Sequence, residues 1–320
     1  MALSEFELIR RFFTHPARSA VLGVGDDAAI VRARRGSELV VTTDMLVAGR
    51  HFYHGADPGR LGHKALAVNL SDMAAMGATP RWATLAVSLP RADPRWLAAF
   101  SRGFMRLARR FGVDLVGGDT TRGPLDICVQ VIGEVPRGRA LRRDRARAGD
   151  DVWVSGTLGD AALALGAKRL APSDRRALRL KLDAPAPRVA LGIALRGVAR
   201  SAIDVSDGLV ADLGHICERS RVAAVIGLEH LPCSAILKQM RDRPAARAAL
   251  LAGGDDYELA FTAGRAQRGA VARIAQRLRL RLTRIGSIVR QRRRTPLVTV
   301  LDAAGRPIAV KRGGYEHFRD

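Results

Sequence analysis

Lys64-Ala-Leu-Ala-Val-Asn-Leu-Ser-Asp-Met-Ala-Ala-Met-Gly-Ala78 reads as helix over residues 60–76, and it carries a carboxylate for which a helix has no local use. Ala65, Ala67, Ala74 and Ala75 are strong helix formers that also permit close packing. Asp72 lies in the helix interior, so it caps nothing, and its neighbours Leu70, Met73 and Met76 belong to the apolar side. A carboxylate placed among such residues is expensive unless something neutralises it.

The same pattern recurs on both sides of this helix. Gly25-Asp26-Asp27 interrupts a Val/Ile-rich run, and Thr42-Thr43-Asp44 closes Leu39-Val40-Val41. Gly117-Gly118-Asp119-Thr120-Thr121 follows Leu115-Val116, Asp204-Val205-Ser206-Asp207-Gly208 follows Ala202-Ile203, and Gly253-Gly254-Asp255-Asp256 precedes Tyr257-Glu258-Leu259. A single Gly-Asp pair is ordinarily a turn, and Asp before a helix is ordinarily a cap. Repetition of acidic groups at the ends of apolar runs in one chain points instead to a shared hard cation with oxygen ligands. Magnesium bridges protein carboxylates to substrate phosphates, so several converging carboxylates imply more than one Mg²⁺ and a phosphorylated ligand.

Around these segments the chain alternates α and β patterns. Ser4 and Glu7 have capping-box spacing, and Phe6, Leu8, Ile9, Phe12 and Phe13 give the first helix an apolar face. Strand-like runs are expected near 21–31, 38–43, 82–89, 113–117 and 126–135, with a helix near 95–110. Pro136–Asp151 carries six Arg within 137–147 and reads as the connection between a domain of residues 1–136 and a second of residues 137–320. In the second, strands near 151–155, 201–205, 222–227, 257–262 and 282–289 alternate with helices near 159–167, 187–197, 208–220 and 267–279. The fold class is therefore α/β, a mixed α+β chain of two domains.

Composition narrows the function. The chain has 320 residues, 48% of them hydrophobic, enough for about two cores. No apolar run approaches the roughly 20 residues that span a bilayer, and the N-terminus lacks a signal-peptide core. Three cysteines without CxxC spacing suggest neither a disulfide framework nor a zinc site. A cytoplasmic enzyme without membrane contact is the simplest class. The net charge of +22 invites a nucleic-acid reading. Only five of the 53 basic residues are Lys, however, a bias compatible with codon usage, and no aromatics interleave with the basic runs as stacking platforms would. A basic nucleic-acid-binding protein is kept as the alternative from another class, with no specific nucleic acid expected.

Known nucleotide motifs do not account for the acidic segments. There is no GxxxxGK[ST] loop, and Gly23-Val24-Gly25-Asp26-Asp27-Ala28 fits a GxGxxA fingerprint only in outline, because two carboxylates repel a pyrophosphate unless a metal intervenes. His51 follows Asp44 closely enough to reach the same site, whereas His63, His215 and His230 read as packing or surface residues.

Taken in order, the segments resemble the thiamine-monophosphate kinases, within the superfamily that also holds aminoimidazole ribonucleotide synthetase and selenophosphate synthetase. They are Gly23–Ala28, Thr42-Thr-Asp-Met-Leu-Val-Ala-Gly-Arg-His-Phe52, Lys64–Ala78, Gly117-Gly-Asp-Thr-Thr-Arg-Gly-Pro124, Ser201-Ala-Ile-Asp-Val-Ser-Asp-Gly-Leu209, Gly253-Gly-Asp-Asp-Tyr-Glu-Leu259 and Gly314-Tyr-Glu-His-Phe318. The resemblance spans nearly the whole chain. It implies an aminoimidazole ribonucleotide synthetase-like fold: an N-terminal domain, 1–136, that binds ATP and Mg²⁺ and dimerises with its twin, and a C-terminal α/β domain, 137–320. It further implies that Asp27, Thr42, Thr43, Asp44, Asp72, Asp119, Asp204 and Asp207 hold magnesium, that Gly118, Asp119, Arg143 and Ser206 contact ATP, and that His51, Asp255 and Tyr315 contact thiamine monophosphate. Asp44, Asp72, Asp119 and Arg143 are the implied catalytic set.

Two departures stand out. Asp255 replaces the family's usual Glu, which shortens the reach by one methylene. The Arg137–Arg147 run departs from the family's Thr-Arg-Ser-Gly text; Arg143 is the aligned residue for ATP, with Arg142 and Arg145 as rivals. The implied reaction is in-line phosphoryl transfer from ATP to thiamine monophosphate. Another ATP-using synthetase of the superfamily is the alternative within the class.

Overall fold

Ser4 opens the first helix as its spacing predicts: Ser4 Oγ accepts the Glu7 N–H at 3.3 Å, and the Glu7 carboxylate accepts the Ser4 N–H at 2.9 Å. Helix α1 (Glu5–Leu8) runs directly into a π-helical turn, Ile9–Phe13, closed by the Thr14 N–H on the Ile9 carbonyl at 2.9 Å. The computed structural model describes residues 4–166, 170–292, 294–310 and 314–315. They form two compact units, 4–73 with 78–138 and 74–77 with 139–315.

In the first unit, the strand-like run expected near 21–31 is two short antiparallel strands, β1 (Ala20–Leu22) and β2 (Ile30–Val31). The loop between them holds Gly25-Asp26-Asp27, since Gly and adjacent carboxylates are poor strand formers that favour solvent. Strand β3 (Ser37–Val47) is longer than expected, and it contains Thr42-Thr43-Asp44 instead of ending there. Its pairing explains the extension: β3 lies antiparallel to β6 (Asp126–Pro136) along its whole length, with Val41 opposite Ile132 and Asp44 opposite Val129. Between them in sequence come α2 (Pro58–Ala75), β4 (Thr79–Leu89), α3 (Pro94–Phe111) and β5 (Asp114–Arg122). Gly117–Thr121, expected to follow a strand, is part of β5 itself.

The sheet order is β3-β6-β4-β5, so β3 and β5 are opposite edges. Strands β4 and β5 run parallel, joined by α3 as crossover. Asp93 starts α3 by accepting the Arg95 and Trp96 N–H groups at 2.9 and 3.3 Å, with Pro94 in the first turn where its missing N–H costs nothing. Helices α2 and α3 meet backbone to backbone: a Cβ at Gly103 would collide with the Gly59 carbonyl. One sheet face is buried through Ile127, Val129 and Val131, with Met73 of α2 seated on Gly133. The other face carries Leu39, Val41 and Met45, all about half exposed at 49%, 57% and 57%.

The second unit is built on a seven-stranded sheet of order β13-β12-β9-β11-β7-β10-β8. Its elements are β7 (Asp151–Ser155), α4 (Asp160–Gly166), α5 (Pro172–Asp183), α6 (Val189–Ala194), β8 (Ser201–Asp204), α7 (Leu209–Ser220) and β9 (Val222–Gly227). There follow α8 (Ala235–Gln239), α9 (Pro244–Ala252), β10 (Leu259–Ala263), α10 (Arg268–Leu278), β11 (Leu282–Arg290), β12 (Val298–Leu301) and β13 (Pro307–Ile308). Pairing is antiparallel except between β12 and β9. Val152, Val154, Ile203, Leu213, Ile216 and Ile285 form the centre of its core. The helix expected over 187–197 contracts to α6, while α5, α8, α9, β12 and β13 go beyond the sequence expectation. The C-terminal end of the helix expected over 159–167 and residues 316–318 of the Gly314–Phe318 motif lie outside the described residues.

Candidate functional site

The two-residue period of β3 sorts its polar residues. Val40, Thr42, Asp44 and Leu46 face the helix-covered side, and Thr43 faces the open side, where the Gln130 amide donates to its Oγ1 at 3.3 Å. Across the covered side stands α2. Thr42 Oγ1 donates to Asp72 Oδ2, which gives the mid-helix carboxylate its partner. Asp44 is drawn into the same place: burial, with the neighbouring Asp72 charge added, pushes its carboxyl up to about 7. Two neighbouring, part-buried carboxylates beside a hydroxyl match the chemistry of a hard cation. His51 comes from just beyond β3. Its Nδ1 accepts the Val47 N–H at 3.0 Å, which leaves the ring proton on Nε2, and its carbonyl accepts from Lys64 Nζ at 3.2 Å.

A second acidic group lies at the opposite edge of the same sheet. The β1–β2 loop and β5 border a cavity of about 660 Å³ whose lining includes Asp26, Asp27, Gly118 and Asp119. Gly118 is required by position. Its φ is +153°, and a Cβ there would strike the Leu85 carbonyl of β4, so the β5 backbone lies close to its neighbour and stays open on its outer side. Phe6, Ile9, Phe13 and Val24 contribute apolar side chains to the same lining.

In the second unit the structure brings the sequence-derived residues together through the backbone. Asp204 ends β8 and is paired with Leu259 of β10. The Asp255 N–H donates to the Ser206 carbonyl and the Tyr257 N–H to the Val205 carbonyl, both at 2.8 Å, and the Tyr315 N–H donates to the Asp207 carbonyl at 3.0 Å. Asp204, Ser206, Asp207, Asp255 and Tyr315 therefore belong to one locality. Asp255 and Tyr257 both adopt left-handed backbone, φ +66° and +50°, and the Tyr257 hydroxyl donates to Asp255 Oδ1 at 3.1 Å. Two non-glycine residues held in this region within three positions mark a segment whose shape the surroundings impose.

Two of the candidate arginines differ in their surroundings. Arg142 is committed to Asp144 through Nε at 3.0 Å and a second contact from Nη2. Arg143 lies in a short 3-10 turn with its side chain exposed, while its carbonyl accepts from Ser220 Oγ at 2.7 Å, which fixes the backbone.

Several residues of these localities carry no role in the sequence reading. Asp212 is buried, and its Oδ2 accepts the N–H groups of Ser206, Asp207 and Gly208, each at 3.1 Å. Burial and the nearby Asp207 charge push its carboxyl up to about 7, against the pull of those donors. Asp256 accepts the Gly159 N–H on both oxygens at 3.0 and 2.8 Å; loss of hydration, with Glu258, Asp160 and Asp255 adding repulsion, raises it well above the carboxylate range despite that donor. Arg188 forks onto the buried Glu258. The signal for Asp212 was its place one turn inside a helix that follows Ser206-Asp207-Gly208. Among the described residues, no three acidic, His or Cys side chains gather tightly enough to hold a metal unaided. Magnesium commonly needs only one or two carboxylates, with phosphates and water completing its shell, so the oxygen sets found here fit it.

Comparison with known proteins gives one direction. The family model for AIR synthase related protein, N-terminal domain, matches residues 25–135. Thiamine-monophosphate kinase of Escherichia coli K12 is 43% identical over 331 residues, 99% of each chain. The crystal structure of thiamine-monophosphate kinase from Stenotrophomonas maltophilia superposes with a TM-score of 0.85 at 50% identity, covering 94% of this chain and 97% of that one. AaThiL complexed with AMPPCP and TMP superposes with a TM-score of 0.77 at 32% identity, covering 92% of both.

Proposed function

The chain belongs to the thiamine-monophosphate kinases, and from that premise we propose that it transfers the γ-phosphoryl group of ATP to thiamine monophosphate, releasing thiamine diphosphate and ADP. The observation that carries the reading is similarity along the full length to enzymes of that name, one relative having been solved with AMPPCP and TMP. We place the reaction in the cytoplasm, in keeping with three cysteines left as thiols; no described helix is long and apolar enough to cross a membrane.

Phosphate attacks phosphate in this reaction. The second ionisation of a phosphomonoester falls near pH 6, so the acceptor oxygen is already largely anionic at neutral pH and needs no general base. The chain's task is to hold two anions in line and to offset their repulsion. We assign magnesium to Asp27, Thr42, Asp44, Asp72 and Asp119 of the first unit and to Asp204 and Asp207 of the second. Thr43 contributes through its place in the strand, since its side chain points to the open face. When bound, magnesium neutralises charge on the phosphates. Gly118 offers its backbone edge to ATP, Arg143 an exposed guanidinium, and Ser206 a hydroxyl on a loop whose three amides are fixed. His51, Asp255 and Tyr315 are assigned to thiamine monophosphate, with the left-handed turn at Asp255 setting where its shortened carboxylate points.

The chain acts as a homodimer in this reading. Leu39, Val41 and Met45 form an exposed apolar row on one face of β3. Asp44 and Asp72 lie at the β3 edge and Asp27 and Asp119 near the β5 edge, three strand spacings or about 14 Å apart. Two copies related by a twofold axis through the open faces set the β3 edge of one beside the β5 edge of the other, which gathers both acidic groups at each site.

Incubation with ATP, Mg²⁺ and thiamine monophosphate, followed by chromatography of the thiamine esters, tests the function. Thiamine diphosphate should appear with an equal amount of ADP and vanish on chelation. A folded, ATP-binding protein that makes none would move the reading to another substrate of the superfamily.

A further inference from the structure

We propose that helix α3 of the first unit docks the phosphate backbone of double-stranded nucleic acid through a ridge of arginines, without sequence preference. The contact is separate from the phosphoryl-transfer site and goes beyond the reaction proposed above.

Helix α3 divides its residues sharply. Leu97, Phe100, Phe104, Met105 and Leu107 are buried. From Arg95 to the end of the helix, every exposed residue is an arginine: Arg95, Arg102, Arg106, Arg109 and Arg110. The steps from Arg95 to Arg102, Arg106 and Arg109 are those that return a helix to the same face, and Arg110 flanks the row. At 1.5 Å per residue the ridge runs for about 22 Å.

No carboxylate answers it. The helix contains none. The two that bracket it are engaged with backbone: Asp93 accepts the Arg95 and Trp96 N–H groups, and Asp114 Oδ2 accepts those of Arg18 and Ser19 at 2.8 and 2.6 Å. Among the described residues, Arg102, Arg106, Arg109 and Arg110 enter no ion pair. Like charges three and four residues apart cost a helix stability. Codon usage explains Arg in place of Lys, but it does not explain a face without Glu or Gln.

The chemistry of the ridge selects its partner. Guanidinium forks match phosphate oxygens. The helix offers no free aromatic platform for splayed bases, since Trp96 stacks on Phe100 at 5.1 Å and Arg110 covers Phe111, which disfavours single strands. It exposes no large apolar side chain to enter a bilayer. A straight ridge suits a rigid duplex, which presents one charge per about 1.7 Å, better than an acidic peptide that must first be ordered. Contacts to phosphate alone read no bases. The ridge also stays open: α3 packs beside α2 through Gly59 and Gly103, and the dimer proposed above uses the other sheet face. Helix α10 makes the contrast. It exposes Arg273 and Arg277, but Gly269, Ala272 and Gln276 interrupt its face, and Arg268 is committed to Asp151.

The test compares two charge-matched double variants of the full chain, Arg102→Gln with Arg106→Gln on α3 and Arg273→Gln with Arg277→Gln on α10. Binding of a fluorescent DNA duplex is followed by anisotropy across a salt series, with ATP and Mg²⁺ present throughout to occupy the nucleotide site. The α3 variant should weaken binding about tenfold near 0.1 M salt and lower the slope of log K against log salt by about 2, as for two lost phosphate contacts. The α10 variant should stay within about twofold of wild type, a duplex of scrambled sequence should bind equally, and both variants should melt no lower than wild type. Equal weakening by the two variants would assign the binding to overall charge and overturn the proposal. Unchanged binding in the α3 variant overturns it too, as does tighter binding to a single strand, to polyglutamate or to anionic phospholipid vesicles than to the duplex at the same salt.

Discussion

Asp44 and Asp72 stabilise nothing in each other; each raises the cost of the other's charge. Replacing either with Asn should therefore separate activity from stability. Turnover is expected to fall by about 100-fold or more, as for loss of a group that positions transition-state charge, while the metal-free protein unfolds at the same temperature or higher. Calorimetric melting beside the kinase assay checks both halves, and a variant that loses stability in step with activity would reassign the pair to the core. Asp151 is the contrasting case. Hydrogen bonds from Arg268, reinforced by the charges of Arg268 and Arg284, hold its carboxyl below the usual range although burial opposes them. A depressed folded-state pKa adds stability above the unfolded value of about 3.9 and loses it as pH falls through the folded value. The stability gap between wild type and Asp151→Asn, read from urea midpoints, should be constant above about pH 5 and close below about pH 4. A gap that widened in acid would contradict the assignment.

Elements place these residues, and the sequence disclosed some placements better than others. The α2 segment was legible because alanines and an uncapped interior Asp72 leave little but helix. The capping box at Ser4 and Glu7 was legible for the same reason, a local pattern with a local cause. Strand β3 was read too short, because Thr42-Thr43-Asp44 looks like an end until β6 pairs with it over eleven residues. Helices α5 and α9 escaped the pattern although Pro172 and Pro244 each stand at a first helical turn, a usable signal left unread. The Asp212 contact could not be read, since three amides converging on one oxygen depend on the turn into α7. That contact predicts a graded outcome. Asp212→Ala should raise KM for ATP and the Mg²⁺ requirement more than it lowers kcat, and Asp212→Asn, which keeps an acceptor, should recover part of the loss. Identical damage from both variants, with a lowered melting temperature, would mean that Asp212 only caps α7.

At the scale of the molecule, the acidic groups divide between the two edges of one sheet, and sequence order gives no hint of it: Asp27, Asp44, Asp72 and Asp119 read as one set. The proposed homodimer reunites them. Val41→Arg should shift the protein to half its mass in sedimentation and remove activity. Asp72→Asn mixed with Asp119→Asn, each inactive alone, should regain about a quarter of wild-type activity, because half the sites of each mixed dimer are then intact. No recovery in dimers shown to have exchanged would put both residues in sites built from one copy. The family resemblance was legible from the motifs alone, and what they could not supply was this division in space.

The most direct measurement is transfer of label from ATP carrying a radioactive γ-phosphate, with thiamine monophosphate and Mg²⁺, in wild type and in Asp72→Asn. Label should enter the terminal phosphate of thiamine diphosphate in wild type, one for each ADP formed, and fall close to background in the variant. Label released as free phosphate, or equal transfer by Asp72→Asn, would contradict a kinase whose chemistry is organised around these carboxylates.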